Sequence, residues 1–182
     1  MPTLVHEFDW PDRVVVGTVG RPGSRAFYLQ ARTGSRTASV ALEKEQSAVL
    51  AETLDRLLDE LMAEPDNRWS IPAEAPAELI DDEPLDQPVE QDFRTGSMRL
   101  NWDPRTAQVV VEAYPVVEGA EDDDEPDDAE PTELLRIRMP VGTARAFVAR
   151  TRAVVRSGRP ACPLCGAPVD DDQHVCAAPD AP

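Results

Sequence analysis

Two stretches of this chain alternate apolar and polar residues along short runs and then change to helical spacing. A period of two places successive side chains on opposite faces of a β-strand, whereas spacings of three and four residues build one face of a helix. Each stretch contains three strand-like runs followed by one helix-like run. The predicted strands are 13–19, 26–32, 37–42, 93–102, 107–117 and 133–139, and the predicted helices are 43–63 and 142–157.

This order predicts an α+β protein built from two βββα-like halves. Turn-forming residues separate successive runs, as in Gly20-Arg21-Pro22-Gly23, and such short connections favour antiparallel pairing. We expect an antiparallel sheet, or two, with both helices on one face and an approximate two-fold between the halves. The positions predicted to face the core are Phe27, Leu29, Ala31, Ala38, Val40, Leu42, Met98, Leu100, Trp102, Leu135, Ile137 and Met139.

The net charge of −17 is unevenly distributed. Residues 64–92 carry ten acids against one base, and residues 118–133 carry ten acids and no base. Without these segments and the acids of the C-terminal tail, seventeen basic residues remain against eleven acidic ones. We therefore expect one α+β domain over 1–158 in which both acidic segments are largely disordered loops. The apolar residues of the first segment could still let parts of it pack, namely Trp69, Ile71, Leu79, Ile80 and Leu85.

The C-terminal residues 159–182 contain all three cysteines of the chain and one of its two histidines. Cys162 and Cys165 have the C-x₂-C spacing of a zinc knuckle, and His174 and Cys176 can share one face of an extended segment. Four such ligands predict a closed, structural Zn²⁺ site. The alternatives are a redox dithiol and free thiols, but a redox C-x-x-C motif normally opens a helix in a βαβ unit.

Arginines form a second candidate site. Several lie in a narrow stripe along the second predicted helix, and others occupy outward positions of the predicted strands. Such a surface could dock a macromolecular partner, including single-stranded nucleic acid, although an ordinary solvated face and masking by the acidic loops are alternatives. The candidate partner-binding residues are Arg145, Arg152, Arg156, Arg159, Arg136 and Arg138.

The sequence contains no motif that identifies an enzyme. It lacks a Gly-rich phosphate loop, a G-x-S-x-G elbow and an H-E-x-x-H pair, and zinc would occupy every cysteine. The N-terminal residues lack the basic and apolar regions of a signal peptide, and no apolar run approaches the roughly 20 residues of a membrane span. We therefore expect a cytoplasmic protein that does not cross a membrane.

Four stretches of the sequence resemble a known family. They are 8–20, 25–32, 40–46 and 158–176, the last including Cys-Pro-Leu-Cys-Gly and His-Val-Cys. On these residues the chain resembles domain-of-unknown-function family 3090, a family of actinobacterial proteins. The resemblance spans almost the whole chain and implies a cytoplasmic protein, but it supplies no activity and no catalytic residues to carry over.

Three functions remain open from the sequence. The first is a non-enzymatic zinc-binding adaptor or regulatory protein that docks a macromolecular partner, for which we expect another protein. The second is single-stranded nucleic-acid binding through an arginine-rich sheet face. The third is an enzyme whose site the sequence does not reveal. The oligomeric state is left open.

Overall fold

The computed structural model describes residues 3–67, 70–117 and 131–157, together with Cys162, Leu164, Cys165 and Cys176. Within these residues the chain is an α+β protein with a seven-stranded sheet and two helices. A short 3₁₀ turn, Ala77–Leu79, lies between α1 and β5. The elements are β1 Leu4–Asp9, β2 Arg13–Val19, β3 Ala26–Thr33, β4 Arg36–Leu42, α1 Lys44–Ala63, β5 Phe93–Asp103, β6 Gln108–Pro115, β7 Glu133–Pro140 and α2 Val141–Arg156.

The sheet is continuous and mixed, with strand order β1-β7-β6-β5-β4-β3-β2. Neighbours within β2–β4 and within β5–β7 pair antiparallel, as expected. The β4–β5 and β1–β7 pairs are parallel, so the prediction of an antiparallel sheet is wrong at these two junctions. Because β4 and β5 are parallel, the strands β5–β7 are related to β2–β4 by a translation across the sheet. The expected two-fold is therefore not observed.

Strand β1 was not predicted and lies outside the layout of two equal halves. Its inward residue Phe8 is buried, and its outward residues pair in register with β7. Only residues 10–12 connect β1 to β2, although these are the two edge strands. The sheet therefore curls until its edges approach, and Arg36 of β4 lies over the Phe8 ring, 4.3 Å from its centre.

One hydrophobic core lies between the sheet and the helices. α1 packs along α2, and α2 also contacts β2, β6 and β7. The inward positions predicted for the strands belong to this core or pack against it, because alternation reports which face of a strand is buried. Those completely or nearly buried include Leu29, Val40, Leu135, Ile137 and Met139 from the strands and Leu54, Leu58, Ala144 and Phe147 from the helices.

Residues 70–92, here called the acidic strap, lie first beside the helices, where the Pro72 carbonyl accepts a hydrogen bond from Arg145, and then cross the outer face of β2–β4. Leu85 is buried against Gly17, where an added Cβ would lie 2.6 Å from the leucine side chain. Gln30 accepts a hydrogen bond from the Asp86 amide (2.8 Å) and donates to the Asp86 carbonyl (3.2 Å). The strap therefore packs against the rest of the chain, as its apolar residues allowed. Buried apolar side chains and specific hydrogen bonds fix it to the sheet. Of the second acidic segment, residues 118–130 lie outside the described residues.

Candidate metal centre

Three cysteine thiols meet at the C-terminal end of the chain. The Sγ atoms of Cys162, Cys165 and Cys176 all lie within 4.8 Å of one another, and those of Cys162 and Cys176 are 3.8 Å apart. Cys162 is buried and the other two are partly exposed. The C-x₂-C turn, with Leu164 and Cys165 in the turn itself, directs two sulfurs to the same point. The cluster could hold a metal ion.

The environment of Cys162 favours its thiolate form. The backbone N–H groups of Cys165 and Leu164 hydrogen-bond to its sulfur and lower the pKa of Cys162 to about 6, although desolvation opposes the shift. The Cys165 and Cys176 side chains contribute in the same direction. Because the thiolate is the form of cysteine that binds metals, the turn prepares Cys162 as a ligand.

The predicted fourth ligand, His174, lies outside the described residues. The structure therefore brings together the three predicted thiols. Cys176 is eleven residues after Cys165, and no local sequence pattern places it beside the C-x₂-C turn. The histidine and the identity of the metal remain predictions.

Arg145 does not belong to an exposed basic stripe. It is 4% exposed on α2. Its guanidinium donates to Asp55 (2.6 Å) and Asp59 (2.8 Å) of α1 and to the Pro72 carbonyl of the acidic strap (2.8 Å). The partner-binding role predicted for Arg145 is corrected accordingly, because its side chain joins α1, α2 and the strap inside the protein. Helical spacing alone did not reveal the carboxylates on the facing helix.

The other predicted arginines of this helix occupy different environments. Arg152 pairs with Asp55 at 2.8 Å and is 42% exposed at its side chain. Arg156 is exposed, and its Nε donates to the Arg152 carbonyl at 3.2 Å. Arg159 lies outside the described residues. Of the predicted stripe, Arg152 and Arg156 thus remain on the described surface.

Arg136 belongs to a row of alternating charges across four strands. Glu7 of β1, Arg136 of β7, Glu112 of β6 and Arg99 of β5 are successive in-register neighbours, here called the charge ladder. The Arg136 guanidinium donates to Glu112 at 2.8 Å and to Glu7 at 3.3 Å. Partial burial raises the pKa of Glu112, but hydrogen bonds from Arg136 and Tyr114 outweigh this and lower it overall.

Arg138 lies on β7 two residues after Arg136 and therefore on the same face of the sheet. It donates to Asp103 at 3.1 Å and forms an ion pair with Glu7 at 3.4 Å. Arg136 and Arg138 are therefore both neutralised by carboxylates of neighbouring strands, which the sequence analysis did not foresee. In-register pairing brings these charges together across positions that are distant in the sequence.

A small cavity of about 180 Å³ lies between β2, α2 and the acidic strap. Asp81 of the strap accepts hydrogen bonds there from Arg13 (2.6 and 3.0 Å) and Arg150 (3.1 Å). Burial lowers the pKa of Arg150, and Asp81 partly offsets that effect. Sequence analysis missed this cluster, because its three residues come from segments that only the tertiary structure joins.

Comparison with known proteins identifies the family but no activity. A family model described as a protein of unknown function (DUF3090) matches residues 6–176. No curated protein and no solved structure matches the chain. Among the described residues, neither helix is long and apolar enough to cross a membrane.

Proposed function

We propose that this chain, which belongs to the DUF3090 family of proteins of unknown function, is a non-enzymatic adaptor. Its C-terminal cysteines bind a structural zinc ion and dock a protein partner. The observation that carries the proposal is the convergence of three thiols within 4.8 Å. Thiolates are preferred ligands of Zn²⁺, and three of them with His174 complete a tetrahedral site. A site closed by four protein ligands leaves no position for a substrate, which favours a structural role.

The surroundings of the cluster support a docking role. Leu164, between two of the cysteines, is 76% exposed, so the turn presents an apolar side chain to solvent. An exposed apolar side chain in a turn is suited to contact with another protein surface.

The charges of the described residues favour a protein over nucleic acid. Arg136, Arg138, Arg145 and Arg152 each contact at least one carboxylate. Binding of phosphates would have to compete with these pairs, in a chain of net charge −17. Nucleic-acid binding is therefore the alternative that the partner experiment is designed to separate.

Metal analysis tests the zinc site directly. We expect about one zinc per chain in freshly purified protein, and Co²⁺ substitution should produce thiolate charge-transfer absorption. Cys162→Ser and Cys176→Ser should lose the metal. The two histidines provide a matched pair, in which His174→Ala weakens binding and His6→Ala leaves it unchanged. Metal-free protein that binds neither ion would overturn the proposal.

A second experiment tests docking. Full-length protein is used to co-purify partners, with Leu164→Asp as the variant and Val117→Asp, another exposed apolar position, as the control. We expect a defined protein that Leu164→Asp loses, that Val117→Asp retains and that nuclease treatment leaves bound. Material that nuclease releases would support the nucleic-acid alternative instead.

A further inference from the structure

Strand β5 has a long unpaired edge. On one side it pairs with β6 along most of its length. On the other side it pairs with β4 only through Phe93 and Arg94. From Thr95 to Asp103, no described strand lies along that second side. Backbone groups at such an edge are available to pair with another strand.

Helix α1 runs beside this edge and forms the second wall of a groove. Gln46, in the first turn of α1, donates to the carbonyls of Thr95 and Gly96 at 3.1 and 3.0 Å. These bonds anchor the helix at the start of the groove and occupy two acceptors of β5. The edge that remains available for pairing therefore begins at Ser97.

The groove has a volume of about 480 Å³ and a largely apolar surface. Val49 of α1 is 62% exposed at its rim, whereas Met98 and Leu100 of β5 are partly buried and pack against the core. Among the described residues that line the groove, Glu45 is the charged one. The lining residues are Glu45, Gln46, Val49, Leu50, Thr53, Gly96, Met98 and Leu100.

A strand edge beside a helix, with apolar side chains between them, is the arrangement that captures extended peptides by β-strand addition. The backbone of the peptide pairs with the edge strand, and every second side chain enters the groove. An exposed strand edge is usually protected by charged side chains or proline. Ser97, Met98 and Leu100 provide no such protection, although Arg99 lies on the outward face with the charge ladder.

We propose that this groove binds an extended segment of a partner protein, which adds to β5 as a further strand. The segment carries apolar side chains at alternate positions and a net positive charge. The charge follows from Glu45 in the lining, which attracts a Lys or Arg side chain and repels an acidic one. A second copy of this chain is disfavoured because each copy carries a net charge of −17. The site extends the proposed adaptor function but does not require the cysteine cluster to hold metal.

The test uses the full-length chain and a phage-displayed library of random peptides. Selected peptides should share alternate apolar residues with at least one Lys or Arg. Bound to the ¹⁵N-labelled chain, they should shift the amide signals of Ser97 to Asn101 more than those of β2. Val49→Asp should weaken the best peptide about tenfold or more, whereas Val19→Asp, at an exposed apolar position at the end of β2, should not.

N-methylation of the best peptide separates strand addition from simple apolar contact. Along an added strand, only alternate backbone N–H groups face β5. Methylation of the amides that face β5 should abolish binding, whereas methylation of the other amides should be tolerated. Equal effects of both sets would overturn the proposal, as would selection of no peptide. A dimer that Val49→Asp dissociates would show that a second copy occupies the groove. Peptide binding in the groove should survive chelation of zinc. A failure of the groove proposal can therefore be distinguished from a failure of the proposed zinc site.

Discussion

The outer face of β2–β4 and the outer face of β5–β7 both carry arginines, yet they neutralise them in different ways. On β2–β4, Arg13 pairs with Asp81 and Asp86 of the acidic strap, which are far away in the sequence. On β5–β7, Arg136 pairs with Glu112 and Glu7, its in-register neighbours in the sheet. The first face is covered by a segment of chain, whereas in the described part of the second the charges pair directly between neighbouring strands.

The difference shows that acidic composition does not by itself mean disorder. The strap contains eight acids, but it also contains apolar residues, of which Ile71 and Leu85 are buried. A segment can offset the entropy of ordering its backbone only when it buries apolar surface or forms specific bonds. In the strap, two buried residues and a set of matched arginines provide both.

The largest expected effect tests whether the strap is an integral part of the fold. Leu85→Ala removes a buried side chain packed against Gly17 and should lower the free energy of unfolding by about 3 kcal/mol. Ile80→Ala, in the same segment but 57% exposed, should change it by less than about 0.5 kcal/mol. Chemical denaturation measures both. Equal, small losses would mean that the strap is only loosely attached and would remove the contrast between the faces.

An intermediate effect concerns the acid stability of the covered face. A hydrogen bond from Arg13 lowers the pKa of Asp81. Such a carboxylate contributes stability above its pKa in the unfolded chain, and this contribution is lost as the pH falls through its pKa in the folded protein. Asp81→Asn should therefore cost about 1 to 2 kcal/mol at neutral pH and reduce the loss of stability on acidification.

The neighbouring aspartate provides the control for that prediction. Asp82 is exposed, and Asp82→Asn should leave the acid limb of the stability profile almost unchanged. The pH dependence is measured by urea denaturation from neutral pH downward. If Asp81→Asn and the wild type lose stability in parallel, Asp81 does not anchor the strap.

The smallest effect is expected on the charge ladder. Glu7→Gln removes one charge from a side chain that is 43% exposed but keeps an oxygen for Arg136, and should lower the free energy of unfolding by about 0.5 kcal/mol. The difference from wild type should shrink as salt is added, because solvent-accessible ion pairs are screened. Thermal denaturation at two salt concentrations measures it. A loss as large as that of Leu85→Ala would indicate that this face is as closed as the other.

Much of the secondary structure could be predicted because it depends on local patterns. Alternation placed Leu29, Ala31 and Val40 on the inner face, as observed. Strand β1 was missed, since Leu4–Asp9 is short and its neighbour β7 comes more than a hundred residues later. Its apolar residues gave only a weak signal without that partner.

The candidate sites, too, could be predicted only where they depend on a local pattern. The C-x₂-C spacing identified Cys162 and Cys165 locally, and the structure brings Cys176 to them. The arginine stripe of α2 was visible as spacing, but spacing could not distinguish an exposed arginine from Arg145, which is buried beside Asp55. The groove beside β5 depends on where β4 stops pairing, and no residue pattern reports that.

The sequence by itself determined both helices and every strand except β1, which of their faces are apolar, and which thiols could share a metal. Periodicity is a local property, so it is present in the sequence before any fold forms. The tertiary structure alone decided that β1 pairs with β7, that the acidic strap covers β2–β4, and that Arg145 is buried. Each of these depends on contacts between segments far apart in the chain, where the gain from burial and charge pairing must exceed the entropy of bringing them together.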